Sequence, residues 1–309
     1  MIEQPKNSKA IPRRGEFVGT IVALDSFSEE LKSLTLELTG QAAECFAPAK
    51  AGQFVQLACR DLGNLRCPTP LLRRPFSIAG IQSESERIQL EIMYRVMGPG
   101  TKWLAHRRPG DSINLLGPLG NGFKLPKEPG RPALLVGGGV GLPPMFFLAD
   151  RLLETGHKNV TAFVGARSKN QFIGSFCPVS GNSLKPRPLI EQFNRSGTGC
   201  ILATDDGSYG YPGLVVDALD QYLAEQDNPT GVDLYACGPE GMLRAICELA
   251  VKYDLPCQVC MEAYMACGIG LCQSCVVQVK SQAGKETKPN YKLVCTNGPV
   301  FDSRSIIWE

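Results

Sequence analysis

MEAYMACGIGLCQSCVVQVK, residues 261–280, carries the strongest signal in the chain. It sets three cysteines in a C-x4-C-x2-C array, and a fourth cysteine follows after nineteen intervening residues in YKLVCTNGPVF, residues 291–301. This is the plant-type ligand spacing of a 2Fe–2S cluster. The predicted ligands are Cys267, Cys272, Cys275 and Cys295.

Two glycines lie between the first two predicted ligands. Gly268 and Gly270 can adopt backbone dihedrals that other residues rarely reach, which lets the loop curl around a metal centre. Without side chains they also let backbone N–H groups approach the ligand sulfurs and tune the reduction potential. The strings VVQV, SQAGKETKPN and YKLVC then predict a hairpin that returns Cys295 to the site.

Two other interpretations of these cysteines remain open at this point. Cys272 and Cys275 can form half of a zinc site with Cys257 and Cys260, because paired C-x2-C motifs are common zinc ligands. The thiols can also be ordinary buried apolar residues. Six of the 13 cysteines fall between positions 257 and 295, which disfavours chance packing. Zinc would leave two of the four thiols of the array without a role.

Composition bounds the class of protein. The 309 residues suffice for two or three domains, and 43% apolar with 20% charged residues is typical of a globular chain. A net charge of +2 argues against a nucleic-acid surface. The clustered thiols favour a reducing cytoplasm. The uncharged stretch 132–149 is broken by glycines and prolines, so we expect no membrane span.

Residues 15–125 predict antiparallel β-structure. RIQLEIMYRV, residues 87–96, alternates apolar and polar side chains as a half-buried strand does. Several short strands at this spacing indicate a barrel or a sandwich. The predicted strands are Phe17–Leu24, 31–40, Gln53–Ala58, Phe76–Ile81, 87–96 and Ser112–Leu116.

Two elements of this region have a possible binding role. In LLRRPFSIAG, Arg74 offers a fork of donors for a phosphate and Ser77 a hydroxyl for a ring heteroatom. A plain strand after a solvated arginine pair is the alternative. In RVMGPGTKWL, Gly98 and Gly100 open a turn and Thr101 is expected as the N-cap of a helix whose N–H groups suit a pyrophosphate. A simple capped helix is the alternative there.

From residue 131 onward the pattern changes to alternating strands and helices. ALLV is a continuous apolar strand, and Pro143 and Pro144 suit the first turn of the helix that follows. The glycines between them predict a phosphate-cradling turn that departs from the standard dinucleotide fingerprint at Pro144. The next strand ends at Arg167 without an acidic residue, which leaves NAD and NADP both possible. The glycines of the turn are Gly137, Gly138, Gly139 and Gly141.

A second turn follows the strand VDLYACG. Cys237, Gly238 and Pro239 end this strand at its carboxyl edge, where open α/β sheets bind ligands. Taken alone, Cys237 can equally be a small buried apolar residue. The chain has only two histidines, so histidine-dependent triads are poorly supported. Residues 171–199 are predicted to form, in part, a surface insertion.

These strings together resemble the ferredoxin-reductase-like flavoproteins, and within them the electron-transfer subunits of two-subunit, NAD-linked dihydroorotate dehydrogenases. The resemblance is carried by RPFS with YRVMGPGT, GGGVGLPP with YACGPEGM, and EAYMACGIGLCQSC with CTNGPVF, in this order. It implies a multidomain α+β fold. The implied parts are an N-terminal tail at 1–14, an antiparallel FAD-binding β-barrel at 15–125, a Rossmann-like NAD-binding α/β domain at 126–255 and a small 2Fe–2S domain at 256–309.

The resemblance also implies the site residues. Ser77 near the flavin ring and Cys237 facing the nicotinamide would be the catalytic residues, and the four cysteines of the array would hold the cluster. Phe76 stands where many relatives have tyrosine, and Cys257 and Cys260 belong to no motif of the family. The implied FAD site is Arg74, Pro75, Phe76, Ser77, Met93, Tyr94, Arg95, Gly100 and Thr101. The implied NAD site is Gly137, Gly138, Gly139, Gly141, Cys237, Gly238 and Pro239.

The function implied by the resemblance is a redox relay. An FMN-containing partner subunit would oxidise dihydroorotate for pyrimidine (UMP) biosynthesis, and electrons would pass through the 2Fe–2S cluster and FAD to NAD⁺, in a cytoplasmic heterotetramer of two plus two subunits. One alternative is an NAD(P)H-dependent reductase that serves ferredoxin, sulfur chemistry or an oxygenase. A non-enzymatic alternative is a zinc-stabilised scaffold.

Overall fold

A computed structural model describes residues 14–61, 70–126, 128, 130–176, 184–226, 228–280 and 290–308. The tail predicted at 1–14 lies outside these residues except for Arg14, as do residues 177–183 of the predicted insertion and 281–289 of the predicted hairpin turn. Within the described ranges, no helix combines the length and the apolar character needed to cross a bilayer. The uncharged stretch 132–149 forms a strand, a turn and most of a helix instead.

The N-terminal part is a closed antiparallel barrel with strand order β1-β2-β5-β4-β3-β6. The predicted alternation is present in β5, where Leu90 and Ile92 are fully buried in the barrel core. Met93, on the outward phase, is buried as well because it lines the cavity described below. The elements are β1 Gly15–Ser26, β2 Leu31–Thr39, α1 Gly40–Phe46, β3 Phe54–Leu57, β4 Arg74–Glu84, β5 Arg87–Arg95, α2 Pro99–Ala105 and β6 Ser112–Leu119.

The second part is a seven-stranded sheet with order β10-β9-β8-β7-β11-β12-β15. Its strands run parallel except β15, which pairs antiparallel with β12. All six residues of β7 are buried, as expected for a central strand covered on both faces. The elements are β7 Ala133–Gly138, α3 Leu142–Glu154, β8 Val160–Ala166, α4 Glu191–Asn194, β9 Gly199–Thr204, β10 Tyr211–Pro212, α5 Val215–Ala224, β11 Asp233–Cys237, α6 Glu240–Lys252, β12 Cys257–Cys260 and β15 Val300–Asp302.

The cysteine-rich segment leaves this sheet at the end of β12 and returns to it as β15. Between them, β13 (Val276–Val279) pairs antiparallel with β14 (Asn290–Leu293), so the predicted hairpin strands are confirmed. The boundaries of the cluster domain stay a prediction. The structure adds that residues 257–260 and 300–302 belong to the sheet of the preceding domain.

An ion triad joins the barrel to the α/β domain. A guanidinium nitrogen of Arg195 lies 3.6 Å from a carboxylate oxygen of Glu91 on β5 and 3.5 Å from one of Asp150 on α3. Burial raises the pKa of Asp150 to about 6, although the nearby Arg195 opposes the shift. The ionised form of Asp150 is therefore unfavourable at this domain interface.

Candidate functional site

A cavity of about 260 Å³ lies between the barrel and the carboxyl edge of the sheet. Seven predicted site residues line it, six from the barrel strands β4 and β5 and one from β11. Those residues are Pro75, Phe76, Ser77, Met93, Tyr94, Arg95 and Cys237. The remaining lining residues are Phe54, Met97, Val140, Cys260, Met261, Glu262, Ala263, Met265 and Pro299.

The barrel side of the cavity offers an unsatisfied hydrogen-bonding group. Tyr94 is 2% exposed, and its ring packs edge-to-face on Phe76 with centroids 5.9 Å apart. Among the described residues its hydroxyl has no hydrogen-bond partner. Burial also raises the pKa of Tyr94, so the hydroxyl keeps its proton at neutral pH. A buried donor facing a cavity between two domains fits a polar, ring-shaped cofactor such as a flavin.

Arg74 does not line this cavity. Its guanidinium donates to the backbone carbonyls of Leu72 and Arg73, at 2.9 and 3.2 Å. Its side chain packs beside Gly100, where a Cβ would lie 3.4 Å from Cγ of Arg74. The structure therefore brings the start of α2 against Arg74, the first residue of the cavity-lining strand β4.

The prediction that Thr101 is the N-cap of α2 is wrong. The helix begins at Pro99 after Gly98, because proline suits the first helical position and has no N–H to satisfy. Thr101 lies in the first turn, where its hydroxyl accepts hydrogen bonds from the N–H groups of Met97 and Gly98 at 2.9 and 3.1 Å. Its side chain therefore stabilises the turn that precedes the helix.

The predicted NAD residues fall in two turns that touch each other. The first joins β7 to α3 and the second joins β11 to α6, and Cys237 lies directly opposite Gly137 in the parallel pair β7–β11. A Cβ on Gly141 would lie 2.2 Å from the carbonyl oxygen of Cys237 and 2.6 Å from the backbone nitrogen of Gly238. Only glycine allows this approach, which leaves a side-chain-free surface at the edge of the sheet where nucleotides bind in such folds.

Cys237 has a thiol neighbour that no sequence motif indicates. Cys260 lies opposite it in the parallel pair β11–β12, and both residues line the cavity. A hydrogen bond to Cys260, together with burial, raises the pKa of Cys237. Cys237 is therefore a neutral thiol at physiological pH. The spacing of Cys257 and Cys260 was visible in the sequence, but which of them meets Cys237 depends on the pairing of β12.

The loop from Cys267 to Cys272 wraps backbone N–H groups around a sulfur. The N–H groups of Ile269 and Cys272 point to Sγ of Cys267, at 3.5 and 3.4 Å. The wrapping requires φ of +71° at Gly268 and +86° at Gly270, values that glycine adopts without strain. This arrangement of amides suits a thiolate that bears negative charge.

The hairpin brings Cys295 back to this loop. The N–H of Val294 donates to the carbonyl of Cys275 at 2.8 Å, and the thiols of Cys275 and Cys295 hydrogen-bond to each other. Burial raises the pKa of Cys295 to about 11, and the N–H of Gly270 that donates to this residue opposes the shift. All four predicted ligands therefore belong to one local structure.

The four thiols differ in their exposure to solvent. Cys275 and Cys295 are buried, Cys267 is half-buried, and Cys272 is exposed. Hydrogen bonds from Ser274 lower the pKa of Cys272 to about 6. Within the described residues, no group of three or more His, Cys, Asp or Glu side chains is arranged around a single metal ion. A two-iron cluster shares its four thiolates between two irons, so it does not need such a group.

The zinc interpretation with Cys257 and Cys260 does not fit the structure. The two residues are three positions apart on β12, so their side chains point to opposite faces of the sheet. Cys260 packs in the core shared with the barrel, whereas Cys257 packs beside Cys247 on the other face. They therefore cannot bind one ion together.

The cavity and the cysteine loop are parts of one segment. Residues 261–263 and Met265 line the cavity, and Cys267 follows two positions later. Pro299, after Cys295, also lines it. The same short stretch of chain therefore borders the predicted flavin–nicotinamide site and begins the predicted cluster site.

The barrel, the parallel sheet and this segment define the class of ferredoxin-reductase-like oxidoreductases. A solved structure of an NADH-dependent reduced ferredoxin-NADP oxidoreductase is similar over 94% of this chain and 90% of its own, with a TM-score of 0.71 and 25% identity. The ferredoxin reductase in carbazole 1,9a-dioxygenase shares the fold over 80% of this chain and 68% of its own, with a TM-score of 0.60 and 21% identity.

Sequence comparison identifies the family. The family described as oxidoreductase NAD-binding domain matches residues 135–248, and the iron-sulfur cluster binding domain of dihydroorotate dehydrogenase B matches residues 262–307. The electron transfer subunit of dihydroorotate dehydrogenase B (NAD(+)) from Bacillus caldolyticus is 38% identical over 88% of this chain and 93% of its own. The one from Shouchella clausii is 36% identical over 93% and 95%. The chain belongs to the family of dihydroorotate dehydrogenase B (NAD(+)) electron transfer subunits.

Proposed function

We propose that this chain carries electrons to NAD⁺ from a partner subunit that oxidises dihydroorotate, as a step of pyrimidine synthesis. Oxidation of dihydroorotate to orotate releases two electrons and two protons, and reduction of NAD⁺ to NADH takes up two electrons and one proton. A bound flavin can exchange single electrons with an iron–sulfur cluster and a hydride with a nicotinamide, which links the two half-reactions. We place this relay in the cytoplasm because the six cysteines between positions 257 and 295 form no disulfide bonds, as expected in a reducing compartment.

The cavity between the barrel and the sheet supports this proposal most. Ser77 and Tyr94 would hold the flavin ring from the barrel side, with Arg74 and the first turn of α2 on the FAD phosphates. Cys237 would contact the nicotinamide from the sheet side as a neutral thiol, because burial and Cys260 keep its proton in place. The glycine turns would bind the NAD pyrophosphate through backbone N–H groups.

The cysteine loop would hold the 2Fe–2S cluster. Cys275 and Cys295 would bind on the buried side, and Cys267 and Cys272 nearer the surface. Among the described residues of this segment, the two most exposed large apolar side chains are Tyr264 at 98% and Leu271 at 79%. Exposed apolar side chains beside a redox site suit the docking of the FMN-containing catalytic subunit, which we propose assembles with this chain as a two-plus-two heterotetramer.

Cofactor analysis of matched variants tests the proposal. We expect anaerobically purified protein to contain FAD, two irons and two sulfides per chain. Cys295→Ser should lose the iron and keep the FAD. Cys257→Ser, which changes a buried cysteine outside the ligand set, should keep both. Zinc in place of iron, or equal iron loss in the two variants, would exclude the proposed cluster site.

The substrate requires a second measurement. Dihydroorotate should reduce the cluster only after the catalytic subunit is added, and NADH should reduce the flavin without that subunit. The similarity to an NADH-dependent ferredoxin-NADP oxidoreductase favours a second candidate, an NAD(P)H-linked reductase for a different electron-transfer partner. Reduction by NADH that is followed by no electron exchange with dihydroorotate in the assembled complex would favour this second candidate.

A further inference from the structure

Gln56 is a buried polar residue on the outer face of the barrel. It lies on β3 between Val55 and Leu57, which point into the barrel core. Because side chains alternate along a strand, Gln56 shares the opposite face with Phe54, which packs against the α/β and cysteine-rich parts of the chain. Gln56 is fully buried, at 0% exposure. It therefore lies at an interface between parts of the chain, with no access to bulk solvent.

The carboxamide of Gln56 makes no hydrogen bond among the described residues. Both Nε2 and Oε1 are buried without a partner. Buried amides are nearly always hydrogen-bonded, because water is lost on burial and the hydrogen bonds must be replaced. Gln53, three positions earlier, follows this rule: its side chain accepts from the N–H of Lys50 and donates to the carbonyl of Gly120, each at 2.8 Å.

The side chain of Gln56 lies against the cysteine loop. A Cβ on Gly268 would lie 2.6 Å from Nε2 of Gln56, 2.8 Å from Cγ and 3.1 Å from Cδ. Gly268 directly follows the predicted ligand Cys267. The close approach shows that the carboxamide occupies the space that a side chain at position 268 would need. The absence of a side chain at this position therefore serves the contact with Gln56 as well as the loop conformation.

The other side of Gln56 adjoins the predicted flavin site. In the antiparallel pair β3–β4, Gln56 lies opposite Pro75, which lines the cavity. Its backbone carbonyl also accepts from the guanidinium of Arg73 at 3.5 Å. Gln56 thus bridges the strand that borders the cavity and the loop that carries the predicted cluster ligands.

We propose that Gln56 is a positioning residue for the iron–sulfur site, and that its NH₂ group donates a hydrogen bond to a sulfur of that site. The inference rests on the proposed function. Hydrogen bonds to the sulfurs of a cluster stabilise the more negative, reduced state and raise its reduction potential. The carboxamide also fixes the loop against β3, since a donor held by a rigid strand restricts where the sulfur can lie.

The test replaces Gln56 with methionine in the full chain loaded with FAD and cluster. Methionine has nearly the same length but no N–H. We expect the affinity of the cluster for an electron to fall about tenfold, which is 59 mV for a one-electron couple, the effect of losing one hydrogen bond to a charged group. An EPR-monitored redox titration measures this shift, and the potential of the flavin should stay unchanged.

Gln53→Met is the matched control on the same segment of chain. It removes two satisfied hydrogen bonds, so it should lower the melting temperature and leave the cluster potential at the wild-type value. Gln56→Met should instead lower the cluster potential and leave the melting temperature near the wild-type value. If the affinity of the cluster for an electron in Gln56→Met is within twofold of the wild-type value, the inference is overturned and Gln56 has a packing role alone.

Gln56→Asn covers the case in which the methionine variant does not retain its cluster. Asparagine keeps the amide and withdraws the NH₂ group by one carbon, so the potential should fall in the same direction with the fold retained. An unchanged potential in this variant would also overturn the inference. If the wild-type protein contains no iron, the proposed function is overturned instead. Failure of the inference about Gln56 and failure of the proposed function therefore give different results.

Discussion

Alanine at position 141 should force apart the two glycine-rich turns that meet at the edge of the sheet. Its Cβ would lie 2.2 Å from the carbonyl oxygen and 2.4 Å from the carbonyl carbon of Cys237, whereas ordinary contacts start near 3.4 Å. Both atoms belong to the backbone of β11, so no side-chain rotation relieves the overlap. An overlap of more than 1 Å with backbone should cost about 1–3 kcal/mol or more.

Two measurements check this prediction for Gly141→Ala. The melting temperature should fall by several degrees, at about 2–4 °C per kcal/mol for chains of comparable size. The affinity for NADH should fall at least about tenfold, or about 1.4 kcal/mol, because the turn that would bind the pyrophosphate is displaced. Isothermal titration calorimetry with NADH reports the second effect.

Gly241→Ala is the matched control for stability. Gly241 lies in the first turn of α6, is exposed, and has no atom within 4 Å of a Cβ added there. The same substitution should therefore stabilise the chain by about 0.5–1 kcal/mol, since alanine favours a helix over glycine. If Gly141→Ala melts within a degree of wild type and binds NADH equally well, the two turns are not held together as described.

Two further substitutions should stabilise the chain, although a simple count of contacts suggests that they destabilise it or leave it unchanged. Asp150→Asn should stabilise the chain above pH 6 by about 1–2 kcal/mol although it removes an ion pair with Arg195, because the pKa of Asp150 in the folded chain, about 6, exceeds the ordinary value of 3.8 and wild-type stability therefore falls as pH rises from about 4 to 6. Urea unfolding at pH 4.5 and pH 7.5 measures the difference, and a gain that is equal at both pH values would contradict this reasoning. Tyr94→Phe should stabilise the FAD-free chain, which no longer buries an unpaired hydroxyl, and weaken FAD binding about 3- to 10-fold; fluorescence titration checks the affinity, and unchanged binding would remove Tyr94 from the FAD site.

Periodicity sufficed to predict the barrel strands and the strand–turn–helix around Gly137. In β5 the buried residues alternate as expected from Ile88 to Ile92, and Pro143 and Pro144 lie in the first turn of α3. The short helix α1 was not predicted, since seven residues at 40–46 give too few turns for a helical period to stand out. Its position depends on packing against the barrel, which a local pattern does not contain.

The sequence yields candidate site residues where chemistry requires a fixed spacing, as at Cys267 and Cys272, and these residues stay a prediction. It does not yield candidates where a side chain functions through its strand partner. Cys260 reaches the cavity because β12 pairs in register with β11, and Gln56 meets Gly268 because β3 turns one face toward the cysteine loop. A shift of one residue in either strand would point these side chains the other way.

The return of the chain from β14 into β15 has a consequence for how this protein can be shortened. Because β15 covers the outer side of β12, a protein that ends at residue 260 would lose more than its metal-binding segment. It would also expose a row of unpaired N–H and C=O groups along an apolar strand, which is a template for aggregation. The barrel and the parallel strands of the sheet therefore depend on the C-terminal strand β15 and are not expected to form a self-sufficient unit without it.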